Sequence, residues 1–143
     1  MVLADGQGTP LGVSVAAASP AEVTLLQATL DTVAVRRAGH PGRPRKRPDR
    51  LIADRGYDSN AVRATLVAQG IEPIIPARRN NTVATHQDGR KLRRYKRRWL
   101  IERTHAWLQK FRRLVVRYEY SAVNFLALVH VACVLVTLKR VLG

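Results

Sequence analysis

The fold of this chain depends on residues 51–59, which read LIADRGYDS. Residues 51–53 form a short apolar run that predicts a buried β-strand, and Asp54 follows at its carboxyl end. Ser59 then predicts the N-cap of a helix that runs to about residue 69. Because a strand leads through a tight turn into a helix, this stretch is typical of an α/β fold.

The segments on either side extend the same pattern. The chain has 143 residues, enough for one domain. The further predicted elements are a β-hairpin over residues 1–18, a helix from 19 to about 35, a strand over 71–75, a long basic helix over 91–114 and a largely buried helix over 121–141. A basic loop over 36–50 and a polar loop over 77–90 separate them, and residues 91–141 form the C-terminal helices. This order predicts a mixed sheet flanked by helices.

The charge of the chain points to a polyanionic partner. There are 25 Lys and Arg residues against 10 Asp and Glu residues, a net charge of +15, and 46% of the residues are hydrophobic, which is enough for a folded core. Fourteen of the 25 basic residues lie in 78–117. Since such a charge repels itself, we expect nucleic acid as the partner, bound through its phosphates.

Other features of the sequence indicate the cellular compartment of the protein. Cys133 is the single cysteine, so an internal disulfide and a cysteine-based zinc site are excluded, and we expect it to be a buried apolar residue. The N-terminal residues do not resemble a signal peptide. The apolar run over 125–138 is shorter than the roughly 20 residues of a membrane span, and His130 interrupts it. We therefore expect a cytoplasmic protein with access to the chromosome and no membrane partner.

Asp54 is the first candidate for chemistry. Ligands bind at the carboxyl ends of strands in α/β folds, and Gly56 allows the chain to turn sharply beside this carboxylate. The alternative is that Asp54 only shapes the turn.

Glu102 is the second candidate. Helical spacing aligns it with Tyr95, Arg98, His105 and Gln109 on one stripe. The alternative is a solvated face on which Glu102 pairs with Arg98. Carboxylates converging from a strand end and a helix can hold two Mg²⁺ or Mn²⁺ ions for phosphodiester chemistry.

At these residues the chain resembles the catalytic domain of bacterial insertion-sequence transposases of the DDE type. Residues 53–59 are similar to the block around the family's second aspartate. Tyr95, Arg98 and Glu102, separated by two and three residues, match its tyrosine–arginine–glutamate signature. The pattern continues through 111–118 and 124–130, so the resemblance covers essentially the whole chain.

The resemblance implies a ribonuclease-H-like fold and metal-dependent DNA strand cleavage and transfer. Asp54 would be the second ligand and Glu102 the third ligand of a two-metal Mg²⁺ or Mn²⁺ site. The DNA-binding residues would be Tyr95, Arg98, Arg103, Lys110, Arg112 and Arg113. Transposon ends and target DNA, rather than a small molecule, would be the substrates, and joining two ends would require at least a dimer.

The chain also departs from the family pattern. Gln109 occupies a position where the family often has lysine, and Lys110 lies next to it. The family's first catalytic aspartate lies on a strand before the hairpin, so we expect a sheet that lacks its first strand. Asp5 is expected to shape a turn rather than to replace that aspartate. The chain alone should then be poorly soluble and weak or inactive in strand transfer, as a remnant or as part of a frameshifted enzyme.

Two other functions stay open at this point. The chain could be a non-catalytic DNA-binding remnant, or an inhibitor of the full-length transposase. An RNA-binding role is less consistent with Asp54 and Glu102, because such a protein gains nothing from either carboxylate. Trp99 and Trp107 are expected in the core or in a subunit contact, and His130 in the core.

Overall fold

The computed structural model describes residues 1–19, 21–36, 39, 41–81 and 89–143, except for the side chains of residues 90 and 91. Its strands are β1 (Val2–Ala4), β2 (Pro10–Val13), β3 (Arg50–Ile52) and β4 (Glu72–Ile74). Its helices are α1 (Leu26–Asp31), α2 (Asn60–Ala68), α3 (Gly89–Leu92), α4 (Trp99–Leu108), α5 (Arg112–Val115) and α6 (Ala122–Leu142). Among the described residues, 3₁₀ segments cover Glu22–Leu25, Arg55–Tyr57 and Arg93–Arg98.

The strands form two small sheets. β1 and β2 pair antiparallel, with Leu3 opposite Gly12, which confirms the predicted hairpin. β3 and β4 pair parallel, with Leu51 opposite Pro73. Within the described residues, the two pairs are not joined by hydrogen bonds, so the expected single mixed sheet is replaced by two separate sheets. A cavity of about 600 Å³ has both β1 and β3 in its lining.

Two apolar clusters hold these elements together. The first joins α1 and α2 to the parallel strands and contains Leu26, Leu30, Leu51, Leu66, Ile71 and Ile75. The second lies between α4 and α6 and contains Leu108, Ala132 and Val136. Both α4 and α6 also contact the hairpin, and the Arg93–Arg98 segment contacts β3. The helices that carry Tyr95 and Glu102 are thereby fixed relative to the strand that precedes Asp54.

Several predicted boundaries were wrong. The first helical segment begins at Glu22 and α1 ends at Asp31, while Pro20 lies outside the described residues. The single basic helix over 91–114 is instead α3, a 3₁₀ segment, α4 and α5. Like charges crowd the 3₁₀ segment, RRYKRR, and repulsion at i,i+3 and i,i+4 spacing weakens an α-helix there. Extended backbone at Phe111 separates α4 from α5.

Helix α6 is less buried than expected. Its buried residues are Val129, Ala132 and Val136, whereas His130 is exposed and Cys133 is only half-buried. Large apolar side chains such as Val134 and Leu138 face solvent. By length and composition alone its 21 residues could cross a membrane. Only 22% of its most apolar stretch is buried in the structure. Its burial in the core is therefore limited to one side.

Candidate active site

Asp54 lies two residues beyond β3 and caps the 3₁₀ turn Arg55–Tyr57. Its Oδ1 accepts a hydrogen bond of 2.6 Å from the Gly56 backbone nitrogen. A Cβ at Gly56 would lie 2.8 Å from the same oxygen, so a larger residue there would force the Asp54 carboxylate to shift. Asp54 therefore does shape the turn, as the alternative interpretation held. Its half-buried carboxylate also lines a cavity, so the turn role and a ligand role are compatible.

The Asp54 turn is held from two sides. Tyr57 donates a hydrogen bond of 3.2 Å to Glu22 Oε2, and burial together with the Glu22 charge raises the pKa of this tyrosine. On the other side the Arg78 guanidinium donates to two backbone carbonyls of the turn, those of Arg55 at 3.1 Å and Gly56 at 2.8 Å. These contacts limit the directions in which the Asp54 carboxylate can point.

A buried carboxylate, Asp58, lies just after the turn. Its side chain is 0% exposed and accepts hydrogen bonds from Arg63 Nε and Nη2 at 3.0 and 2.8 Å. It also accepts bonds from the Arg78 backbone nitrogen at 2.6 Å and from the Asn81 amide at 3.1 Å. Burial alone would raise the pKa of Asp58, but the hydrogen bonds from Arg78, Arg63 and Asn81 hold this pKa below its usual range.

Three of the predicted site residues lie around one cavity of about 440 Å³. They are Asp54 from the strand end and Tyr95 and Arg98 from the 3₁₀ segment. In a 3₁₀ segment, side chains three positions apart lie above one another. The Arg98 guanidinium accordingly lies 5.8 Å from the centre of the Tyr95 ring. The rest of the lining comes from Arg55, Gly56, Pro76 and Leu92.

Glu102 reaches this region through Arg98. Arg98 Nη2 and Glu102 Oε1 are 2.7 Å apart, and the two side chains are 41% and 58% exposed. This is the pairing that the solvated-face interpretation of Glu102 predicted. An exposed pair of this kind contributes only about 0.2–1 kcal/mol, so a stronger ligand can displace it. Glu102 itself does not line the cavity.

The other predicted DNA-binding residues lie outside this cavity. Arg103 is sandwiched between the rings of Trp99 and Trp107, at 4.8 and 4.7 Å, and donates to the Gln7 carbonyl at 2.7 Å. The tryptophans are therefore joined through an arginine, and Trp99 is 52% exposed rather than in the core. Of the remaining three, Lys110 and Arg112 are exposed, and Arg113 pairs with Glu119 at 3.0 Å. Their contact with DNA stays a prediction.

Asp5 has the turn role that was expected. Its Oδ1 accepts bonds of 2.8 Å from the backbone nitrogens of both Gln7 and Thr9. It lines the cavity between β1 and β3 and not the one beside Asp54.

The metal-binding capacity of the site rests on oxygen donors. Among the residues that the structure describes, no three His, Cys, Asp or Glu side chains come together. The carboxylates of Asp54 and Glu102 are hard oxygen donors and fit Mg²⁺ or Mn²⁺ in kind.

Two residues of the site were missed in the sequence. Asp58 lies within residues 51–59, directly before the helix N-cap Ser59, but the sequence analysis predicted no role for it. Arg78 was assigned only to a polar loop, and no local pattern indicates that its side chain reaches back across 22 positions to Gly56.

The chain is similar to a known protein family and to a known protein. The family model described as "Transposase DDE domain" matches residues 1–137. A protein of Burkholderia cepacia described as a putative transposase for insertion sequence element IS402 is 40% identical over 142 residues. That alignment covers 97% of this chain but 63% of the relative, so the chain spans less than two thirds of the relative's length. No solved structure matches the chain. The chain belongs to the DDE-domain family of insertion-sequence transposases.

Proposed function

We propose that this chain forms a catalytic core for DNA transposition that cleaves and transfers DNA strands with the help of divalent metal ions. One observation carries the proposal: Asp54, at the end of a parallel strand, shares a cavity with Tyr95 and Arg98, and the Arg98 guanidinium holds Glu102. A residue at a strand end and residues of a helical segment 41 and 44 positions later are thereby joined at one place.

Each side chain has a distinct role in this proposal. Asp54 and Glu102 would hold Mg²⁺ or Mn²⁺, which when bound activates a water or 3′-hydroxyl nucleophile and stabilises the leaving oxygen. Arg98 would exchange Glu102 for a DNA phosphate, a partner that an arginine can bind through two hydrogen bonds. Tyr95 would support Arg98 through its ring, whose centre lies 5.8 Å from the guanidinium. Because the Arg98–Glu102 pair is exposed, breaking it for this exchange costs little free energy.

We also propose a ribonuclease-H-like sheet that is completed by a further strand. The edges of β1 and β3 both line the cavity of about 600 Å³, whose lining includes the apolar Leu30, Val33 and Ile74. The arginines in its lining are Arg50, Arg93, Arg94, Arg97 and Arg98, against the single carboxylate of Asp5. A further strand that carries a carboxylate would pair with the free edges of β1 and β3 and would offset the positive charge of these arginines. Until it is supplied, we expect strand transfer by these 143 residues to be weak.

The substrates and assembly follow from this role. Transposon ends and target DNA would bind basic residues of the stretch 78–117, which carries 14 of the 25 Lys and Arg residues. Joining two ends requires at least two copies of the catalytic core, so we propose a homo-oligomer on DNA. The protein would then act in the cytoplasm, at the nucleoid.

The test is metal-dependent binding of DNA. The purified chain is titrated with a duplex that carries one end of its own element, with Mn²⁺ or with EDTA. We expect Mn²⁺ to strengthen binding by the unchanged chain but not by Asp54→Asn or Glu102→Gln. Asp31→Asn removes an exposed carboxylate at the end of α1 and is the matched control. Equal Mn²⁺ responses in all four proteins would contradict the proposal.

A non-catalytic DNA-binding protein, or an inhibitor of the full-length transposase, is the second candidate. It is favoured by one observation: Asp54 already caps a turn and Glu102 already pairs with Arg98, so both carboxylates have protein partners. This function predicts DNA binding that a chelator leaves unchanged and that salt weakens steeply. The EDTA arm of the titration therefore separates the two candidates.

A further inference from the structure

The segment that follows β4 contacts the Asp54 turn without entering its cavity. Arg78, in this segment, is exposed and is absent from the cavity lining, whereas Pro76 is part of it. The Arg78 side chain donates from Nε to the Arg55 carbonyl at 3.1 Å and from Nη2 to the Gly56 carbonyl at 2.8 Å. One guanidinium thus fixes two successive peptide groups of the turn.

The backbone of Arg78 is itself anchored. Its nitrogen donates a bond of 2.6 Å to Oδ2 of the buried Asp58. Asp58 is held by Arg63, which also donates a bond of 2.7 Å to the Ile75 carbonyl at the end of β4. The anchor therefore ties the start of the loop, the buried carboxylate and the arginine into one unit.

This unit bears directly on the direction of the Asp54 carboxylate. The Gly56 nitrogen donates to Asp54 Oδ1, and the Tyr57 nitrogen donates to the Asp54 carbonyl at 3.1 Å. The two carbonyls bound by Arg78 belong to the peptide groups that supply these nitrogens. Holding the carbonyls therefore fixes the planes of the peptide groups that orient Asp54.

We propose that Arg78 is a positioning residue for Asp54: its guanidinium, anchored through Asp58, holds the Arg55–Tyr57 turn in the conformation that presents the Asp54 carboxylate to the cavity. The inference rests on the proposed role of Asp54 as a metal ligand. Residues that orient a ligand in this way change metal affinity by about 10- to 100-fold when they are removed.

The test compares Arg78→Ala with Arg79→Ala. Arg79 is an exposed neighbour for which the structure shows no contact with the turn, so its variant removes the same charge without touching Gly56. Amide hydrogen exchange at Gly56 and Tyr57 reports the order of the turn, and Mn²⁺ titration reports the ligand. We expect Arg78→Ala to speed exchange at both amides and to weaken Mn²⁺ binding about 10-fold or more. Arg79→Ala should change neither, and Arg78→Lys should recover part of both.

The outcomes separate this inference from the proposed function. Unchanged exchange in Arg78→Ala would overturn the positioning role whatever happens to Mn²⁺ binding. Faster exchange with unchanged Mn²⁺ affinity would overturn it as well, because the turn would then not matter to the ligand. If Asp54→Asn binds Mn²⁺ as the unchanged chain does, the ligand role of Asp54 fails first. A melting temperature of Arg78→Ala close to that of Arg79→Ala shows that the effects are local.

Discussion

Asp58 keeps a negative charge in a side chain with no exposed surface, beside an Arg63 side chain that is 6% exposed. A buried pair is weak evidence for stability as such, but the loss of one partner leaves an uncompensated charge. Here the pair also fixes the Ile75 carbonyl and the Arg78 nitrogen. Its importance is therefore to specify how the loop after β4 packs on the Asp54 turn.

We predict that Asp58→Asn lowers the free energy of unfolding by about 3–5 kcal/mol at pH 7, because Arg63 loses its buried counter-charge. The pKa of Asp58 is lowered in the folded state, so its contribution is complete above the unfolded value of about 4 and is lost as pH falls through the folded value. Urea unfolding at several pH values between 7 and 2 measures both effects.

The control for this prediction is Asp31→Asn, which removes an exposed carboxylate. It should follow the unchanged chain at every pH. In Asp58→Asn the loss of stability below pH 4 should be smaller than in the unchanged chain, since the titrating group is gone. Parallel acid curves for the unchanged chain and Asp58→Asn would show that Asp58 does not carry the acid sensitivity.

Single residues show what a sequence can indicate about a site. The place of Asp54 followed from an apolar strand and a glycine, both local signals, and the residue lies just beyond the strand end as expected. The contacts of Arg78 and Arg103 were not predicted, because they join residues 22 and 96 positions apart. Local composition does not distinguish an arginine that binds a carbonyl of its own chain from one that is free to bind a DNA phosphate.

At the scale of elements, the hairpin, β3, α2 and β4 were predictable because turn residues and apolar periodicity both mark them. Gly70, with a φ of +75°, ends the helical region after α2, as the sequence indicated. The division of the predicted basic helix could not be foreseen. The spacing of its side chains fits an α-helix throughout, but repulsion between neighbouring like charges weakens the α-helix locally. Its conversion to a 3₁₀ segment at Arg93–Arg98 is what places Tyr95 above Arg98 at the cavity.

The contact between β2 and α1 provides a test at this scale. A Cβ at Gly12 would lie 2.6 Å from Thr32 Oγ1 and 3.0 Å from Val33 Cγ2, and both residues directly follow α1. Thr32 Oγ1 also accepts a bond from the Val13 nitrogen at 3.2 Å, so it is not free to move away. We predict that Gly12→Ala lowers the free energy of unfolding by about 1–3 kcal/mol, the cost of overpacking.

Thermal or urea unfolding measures this change, with Gly6→Ala as the control. Gly6 lies in the turn of the same hairpin, and a Cβ there meets nothing within 4 Å. Gly6→Ala should therefore leave stability nearly unchanged. A loss in Gly6→Ala as large as that in Gly12→Ala would place the cause in the hairpin backbone rather than in its contact with α1.

The whole molecule combines a small folded core with surfaces that are not covered by its own residues. In the described part of the chain, two sheets of two strands each are held by helices, and a cavity of about 600 Å³ is lined by strands of both sheets. The order of strand and helix signals predicted the α/β class, but the separation of the sheets could not be read from strand patterns, which do not encode pairing partners. The exposed apolar side of α6 was missed for a related reason: an apolar helix shows its length but not how much of it is covered.

The basic surface gives the prediction that belongs to the whole molecule. A net charge of +15 should make DNA binding strongly dependent on salt, because each phosphate contact releases about one counterion. Lys110 and Arg112 are exposed, and neither has an ion pair with another residue in the part of the chain that the structure describes, so we expect both to be available to phosphates. We predict that Lys110→Gln with Arg112→Gln lowers the slope of log K against log salt by about 2.

Fluorescence anisotropy on a labelled duplex between 50 and 300 mM salt measures this slope. The matched control is Arg36→Gln with Arg43→Gln, which removes two exposed basic residues near the loop over 36–50. If the surface over residues 78–117 tracks the phosphates, the control keeps the slope of the unchanged chain although its net charge has fallen equally. An equal loss of slope in both double variants would mean that DNA responds to total charge, and that the position of the basic residues beside α4 and α5 does not matter.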